Sequence, residues 1–247
     1  MPVPRSARSV LLVGGTFDPP HRAHLDLPRA ARDLLLGTGA WLVYVPAARS
    51  PHKSAGPVAS DDDRVTMLRA ALRGVPRSRV WTDELDRGPG PSFWIDTIGR
   101  ALRAAPPGCS VRFVIGADQA AAFHRWKRPR EILEFASPIV LLRAPFRTAA
   151  SLMRALRATG EWSKPELEQW ASWIAPGKLM RDSSTGVRSG LAARRKSVLD
   201  RVPSAVSDII RRRGLYTPPT SQPSLAPRPC PSAPRRRTRA SARGSRA

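Results

Sequence analysis

Apolar residues fall in two rhythms along this chain. Short, mostly apolar runs, rich in β-branched residues, recur at Val10 to Val13, Trp41 to Val45, Val80 and Trp81, Val111 to Gly116, and Pro138 to Leu142. Runs this short fit strands buried on both faces. Between them apolar residues recur three and four apart. That spacing predicts helices near Arg22 to Leu36, over Arg64 to Leu72 (Val65, Leu68, Leu72), over Trp94 to Leu102, and over Ala205 to Arg213. The last is followed by Gly214, a residue suited to a left-handed C-cap. Strand and helix in alternation predict an α/β fold: a doubly wound parallel sheet with ligands at the carboxyl ends of its strands.

Residues 147–176 break the alternation. Ala149, Leu152, Met153 and Leu156 form one helical stripe, and Leu167, Trp170, Ala171 and Ile174 a second. Ser163 to Glu166 reads as a capping box with Pro165 at the first helical position. The expectation is an inserted helical hairpin whose stripes serve packing, after which the chain returns to the sheet at Lys178 to Met180. From Thr217 onward proline, serine, alanine and arginine dominate, a composition that builds no core. The division is therefore a domain over 1–216, with the hairpin at 147–176, and a disordered Pro/Arg-rich tail over 217–247.

Composition adds limits. At 247 residues and 41% hydrophobic, the chain can build one substantial core, and no run approaches the ~20 apolar residues of a membrane span. The basic N-terminus lacks an apolar signal core and leads directly into the first strand, so a cytoplasmic location is expected. Cys109 and Cys230 are too few for a disulfide framework. The net charge of +23 favours polyanions generally. Seven arginines and no acid lie after Tyr216, leaving +16 on residues 1–216. Charge therefore selects no single partner, although non-specific nucleic-acid contact through the tail is expected.

The chemistry starts at Ser9 to Leu25. A strand ends in Gly14 and Gly15, where bare backbone can approach a ligand, and Pro19 and Pro20 stiffen the loop before a helix. His21 and His24, three apart, share the first turn of that helix. Backbone N–H groups and the helix dipole favour phosphate there. The same residues also fit a tight turn with surface or capping histidines, or half a metal site with Asp18 as a third ligand.

GGTFDPPHRAH, read whole, resembles the GGTFDPxHxGH signature of the nucleotidylyltransferase superfamily, and most of all its bacterial nicotinate-nucleotide adenylyltransferases; Ala23 replaces the last glycine of HxGH. Four further stretches are similar to that family's motifs. VPAARSPHK matches the loop ending in PHK, and the resemblance gives Lys53 a phosphate-neutralising role while His52 stays structural. PSFWIDTI is similar to PSYTIDTL, which aligns Phe93 with an aromatic that helps recognise the nicotinate group and puts Trp94 where the family has threonine. Asp96 and Thr97 are expected to pack or cap. FVIGADQAAAFHRW matches the segment whose aspartate holds the adenosine ribose, here Asp118 after Gly116, and whose tryptophan, here Trp126, stacks on the acceptor's pyridine ring. DSSTGVR resembles ISSTxIR, so Ser183, Ser184 and Thr185 are expected to donate to triphosphate oxygens and Arg188 to clamp phosphate; Asp182 replaces an apolar residue.

The resemblance spans about Ser9 to Tyr216 and implies a Rossmann-like nucleotidylyltransferase. Its catalytic set would be His21, His24, Lys53 and Arg188. ATP would lie against Gly14, Gly15, Thr16, Phe17, Gly116, Asp118, Ser183, Ser184 and Thr185, and the acceptor against Phe93, Trp94 and Trp126. No protein-held metal site is expected; Mg2+ would come with the ATP. The implied reaction is adenylyl transfer from ATP to nicotinate mononucleotide in NAD biosynthesis. Trp94 keeps open nicotinamide mononucleotide or another phosphorylated acceptor. A non-catalytic nucleotide- or RNA-binding protein is the reading from a different class. Class I aminoacyl-tRNA synthetases share the HxGH-type motif, but this chain is short and has no KMSKS-like string.

Overall fold

The strand β1 (Ser9–Gly15) sits at the centre of the sheet because both its faces are apolar. Val10 and Leu12 enter one hydrophobic layer, Leu11 and Val13 the other, and none is more than 4% exposed. A strand of this kind must be covered twice. The computed structural model describes residues 1–49, 56–88, 90–177 and 182–217. Within them β2 (Trp41–Pro46), β3 (Ser78–Val80), β4 (Ser110–Gly116) and β5 (Pro138–Leu141) join β1 in one parallel sheet of order β3-β2-β1-β4-β5. Val13 lies opposite Tyr44 on one side and Val114 on the other. Strand order reverses between β1 and β4, so a crevice opens at their carboxyl ends.

One layer is closed by α3 (Trp94–Ala104), α4 (Ala117–Ala121), α5 (Pro129–Phe135), α6 (Ala149–Ala158) and α7 (Lys164–Ser172). On the other face pack α1 (Arg22–Leu35), α2 (Asp61–Ala71), α8 (Ser184–Ala192) and α9 (Ser204–Arg213). Gly214 ends α9 in the left-handed region, at φ 61°. The short helices α4 and α5 were not expected, since five and seven residues are too few for a helical period to show.

The hairpin of α6 and α7 forms, but it contributes to the core more than an insertion would. Leu152, Leu156 and Trp170 are fully buried, with Trp162 and Trp173 nearly so, whereas Ala149 and Ala171 of the expected stripes are exposed. Trp170 meets Phe123, Trp162 and Trp173 edge-on at centroid distances of 5.3, 5.4 and 5.2 Å. The Ser163–Glu166 capping box is present, with Pro165 second in the helix rather than first. The chain rejoins the sheet earlier than expected: Val140 N–H donates to Trp173 O at 2.8 Å and Ala175 N–H to Val140 O at 2.9 Å. The return expected at 178–180 lies outside the described residues, as do Cys230 and all of the tail after Thr217. Cys109 is a half-buried free thiol. Among the described residues no helix is long and apolar enough to cross a membrane.

Candidate active site

The two histidines meet at the start of α1. His21 is the N-cap, in extended conformation, and His24 is three residues into the helix. Their rings stack with centroids 3.6 Å apart, and the His21 backbone N–H donates to His24 Nδ1 at 3.3 Å. With Nδ1 accepting, the ring proton of His24 belongs on Nε2. His21 is 1% exposed, and neither of its ring nitrogens has a hydrogen-bond partner among the described residues. Burial, and secondarily the nearby positive charge of Arg143, push its pKa down to about 4. At neutral pH His21 is therefore an uncharged imidazole beside the positive end of a helix.

Asp18 connects this corner to the last motif. Its carboxylate accepts from the backbone N–H groups of Val58 (2.8 Å) and Ala59 (3.1 Å) and from the Tyr216 hydroxyl (2.7 Å), and it lies 3.4 Å from an Arg188 guanidinium nitrogen. Four protein partners occupy a carboxylate that could otherwise have been a metal ligand. Arg188 also donates to Asp18 O at 2.6 Å, and the Ser184 hydroxyl to Pro19 O at 3.1 Å. The N-terminus of α8 is thereby docked on the loop before α1. The Ser184 hydroxyl proton, expected for triphosphate oxygens, is given to this carbonyl in the structure without nucleotide. Ser183 caps α8 by accepting from Gly186 N–H at 3.1 Å, and Thr185 is exposed. Asp182 is matched by Arg201 at 3.6 Å, so its extra negative charge has a partner.

Across the switch point, Gly116 and Asp118 follow β4. Arg143, just past β5, donates to both Asp118 oxygens, Nη2 at 2.6 Å and Nε in a shorter contact. Burial alone would raise the Asp118 carboxyl, but the hydrogen bonds and charge of Arg143 outweigh it and hold it below the usual carboxylate range. Gly116, and not Asp118, is the N-cap of α4, so the carboxylate is not consumed in capping.

The residues expected to meet the acceptor lie toward the α3 layer. Trp94, Phe113, Phe123 and Trp126 form a chain of rings with successive centroids 5.9, 6.2 and 4.7 Å apart. Phe93 lies beneath the Lys127 ammonium at 4.4 Å, and Lys127 is 3.7 Å from Asp96. Thr97 is buried and donates to Glu84 at 2.7 Å. The motif glycines prove to be packing positions as well. A Cβ at Gly14 would lie 2.8 Å from ring carbons of Trp94, one at Gly15 3.2 Å from Phe17, and one at Gly116 2.7 Å from Arg143 Cζ. Phe17 itself is fully buried between His24 and Tyr44, so only its backbone could meet a nucleotide. The Thr16 carbonyl is anchored by the buried Arg64 at 2.7 Å.

Lys53 lies outside the described residues, but both flanks of its loop reach the site. Ala47 N–H donates to Gly15 O at 2.9 Å, Ser92 N–H to Arg49 O at 3.0 Å, and Val58 and Ala59 hold Asp18. Sequence reasoning missed Arg143 and Arg64. An arginine at the carboxyl end of a predicted strand was a usable signal for the first; nothing local marked the second. A separate depression of about 810 Å³ beside α3 and α5 contains no residue of the expected catalytic or nucleotide-binding sets. Its Arg100 and Arg87 pair with Asp83, and its Arg128 with Glu131.

Comparison with known proteins converges on one group. A family model described as cytidylyltransferase-like matches residues 12–190. A protein of Laribacter hongkongensis named "probable nicotinate-nucleotide adenylyltransferase" is 34% identical over 212 residues, covering 83% of this chain and 93% of its own. One of the same name from Stenotrophomonas maltophilia is 34% identical over 224 residues, covering 84% and 96%. In fold, the chain is similar to Plasmodium falciparum nicotinic acid mononucleotide adenylyltransferase complexed with NaAD, with a TM-score of 0.63 at 16% identity over 85% of this chain and 97% of that one.

Proposed function

Because the chain belongs to the cytidylyltransferase-like family, among its nicotinate-nucleotide adenylyltransferases, we propose that it transfers the adenylyl group of ATP to nicotinate mononucleotide. An oxygen of the acceptor's 5′-phosphate bonds to the α-phosphorus of ATP. The bond from that phosphorus to the oxygen bridging to the β-phosphate breaks, and its electron pair leaves with pyrophosphate. Deamido-NAD is the other product. The acceptor phosphate is the nucleophile, so the protein's contribution is positioning and charge stabilisation.

The observation that carries this reading is the stacked pair of His21 and His24 at the start of α1, in which His21 is buried, neutral and without a ring hydrogen bond among the described residues. His24 offers Nε2–H to phosphate, and His21 offers an N–H without adding charge. Fixed positive charge comes from Arg188, from the N-termini of α1 and α8, and, by likeness to the family, from Lys53. Asp118 takes ribose hydroxyls, since an ionised carboxylate accepts at both oxygens. Phe93, Trp94 and Trp126 receive the acceptor ring. Mg2+ would come as a companion of ATP, because the Asp18 oxygens are engaged by protein partners. An ion held by phosphate oxygens and water would neutralise the leaving pyrophosphate. Such a reaction, fed by ATP and a phosphorylated nucleotide, belongs in the cytoplasm.

The test is pyrophosphate release from ATP and Mg2+ with nicotinate or nicotinamide mononucleotide as acceptor. Release with the nicotinate form, together with a loss of at least a hundredfold in His24→Ala, is the expected result. Preference for the amide would reassign the acceptor. Undiminished turnover in a folded His24→Ala protein would remove the histidines from the mechanism, and no release with either acceptor would leave a nucleotide-binding protein.

A further inference from the structure

Arg143 matches no part of the motifs described above, yet three observations tie it to the nucleotide. Its guanidinium forms a two-pronged pair with Asp118, the carboxylate given to the ribose. It presses on the bare Cα of Gly116, where any side chain would collide with it. Its charge also reaches His21, at the phosphate end of the crevice. One-third of the side chain is exposed, so a ligand can reach it.

We propose that Arg143 is a further nucleotide-binding residue that couples the ribose and triphosphate subsites; the inference rests on the ATP-dependent reading above. Without ATP, the arginine and Asp118 neutralise each other, and the carboxylate does not repel an incoming polyphosphate. With ATP, ribose hydroxyls take over Asp118 oxygens, and the guanidinium fork turns to phosphate, an acceptor whose geometry it matches. Arg143 then supplies the fixed charge that a neutral His21 does not. Arginine suits this exchange because its charge persists whichever partner it has. Gly116 leaves the room in which the side chain lies.

The test is calorimetric affinity for ATP, adenosine and inorganic tripolyphosphate in the wild-type chain, Arg143→Ala and Arg143→Lys, with the His21 titration followed by NMR. Arg143→Ala is expected to weaken ATP and tripolyphosphate about tenfold to a hundredfold, as loss of a charged bidentate contact would, while adenosine changes less than threefold. The His21 pKa should rise, and the lysine variant should recover part of the tripolyphosphate affinity. Tripolyphosphate affinity within twofold of wild type in Arg143→Ala would overturn the proposal. Loss of adenosine affinity alone would also overturn it, leaving Arg143 as a support for Asp118. If Arg143→Ala does not fold, Arg143→Lys decides by the same ratio of tripolyphosphate to adenosine. Absence of wild-type turnover with nicotinate mononucleotide would refute the acceptor, while the ATP affinities would still judge the arginine.

Discussion

The two imidazoles at the start of α1 differ because their surroundings differ. His24 is half-buried and has a hydrogen bond that sets its tautomer; His21 is buried with none among the described residues. The second condition has a cost that depends on pH. The folded pKa of His21, about 4, lies below the ordinary 6.5, so the unfolded chain binds the extra proton first as pH falls. Stability from this group is complete above about pH 6.5 and declines toward pH 4, by roughly 2–3 kcal/mol at pH 4.5. Denaturant unfolding at pH 7.5 and 4.5 should therefore show a smaller loss for His21→Gln than for wild type, and equal losses would refute the neutral buried state. Residue identity was legible at this scale, and environment was not. Gly14 reads as bare backbone for a ligand, but its missing side chain also makes room for Trp94, eighty residues away in sequence. Asp18 reads as a possible ligand, but Val58, Ala59, Arg188 and Tyr216, which surround it, lie 40 to 198 residues further along.

At the level of elements, the hairpin of α6 and α7 is the clearest test of what holds the site layer together. Trp170 links it to Phe123, and Phe123 packs at a tilt against Trp126, the expected acceptor platform. Trp170→Ala should cost about 3–5 kcal/mol, as large-to-small changes in a fully buried aromatic do. It should also raise the KM for the acceptor more than that for ATP, because the residues proposed for ATP lie along β1, β4 and α8. An equal rise in both, or none, would show that the hairpin only adds bulk. The period of the two stripes made the helices legible. Their depth of burial was not, since Trp162 and Trp173 fall off the stripes: Trp162 is buried against Trp170, and Trp173 where the chain rejoins β5. The helices α4 and α5 escaped for a related reason: each is too short to show a period, and both are held by packing.

For the whole molecule, charge and topology divide the work. The net charge of +23 includes seven arginines beyond Tyr216. We expect these to give salt-sensitive binding to single-stranded nucleic acid without contributing to turnover. Replacing all seven with glutamine in the full chain should flatten the salt dependence by up to about 5 in log–log slope and leave pyrophosphate release unchanged. An unchanged slope would place the polyanion affinity in residues 1–216 instead. The parallel α/β class, the buried first strand and the motif-bearing loops followed from the sequence alone, because buried strands and amphipathic helices carry their periods locally and the motifs are contiguous strings. What the tertiary structure decided is which distant groups meet: Arg143 with Asp118, Arg188 with Asp18, Trp94 with Gly14, and α8 with the loop before α1. Those pairings depend on strand order and helix docking. They also set the protonation of His21, because desolvation and neighbouring charge belong to the assembled crevice and to no segment of the chain by itself.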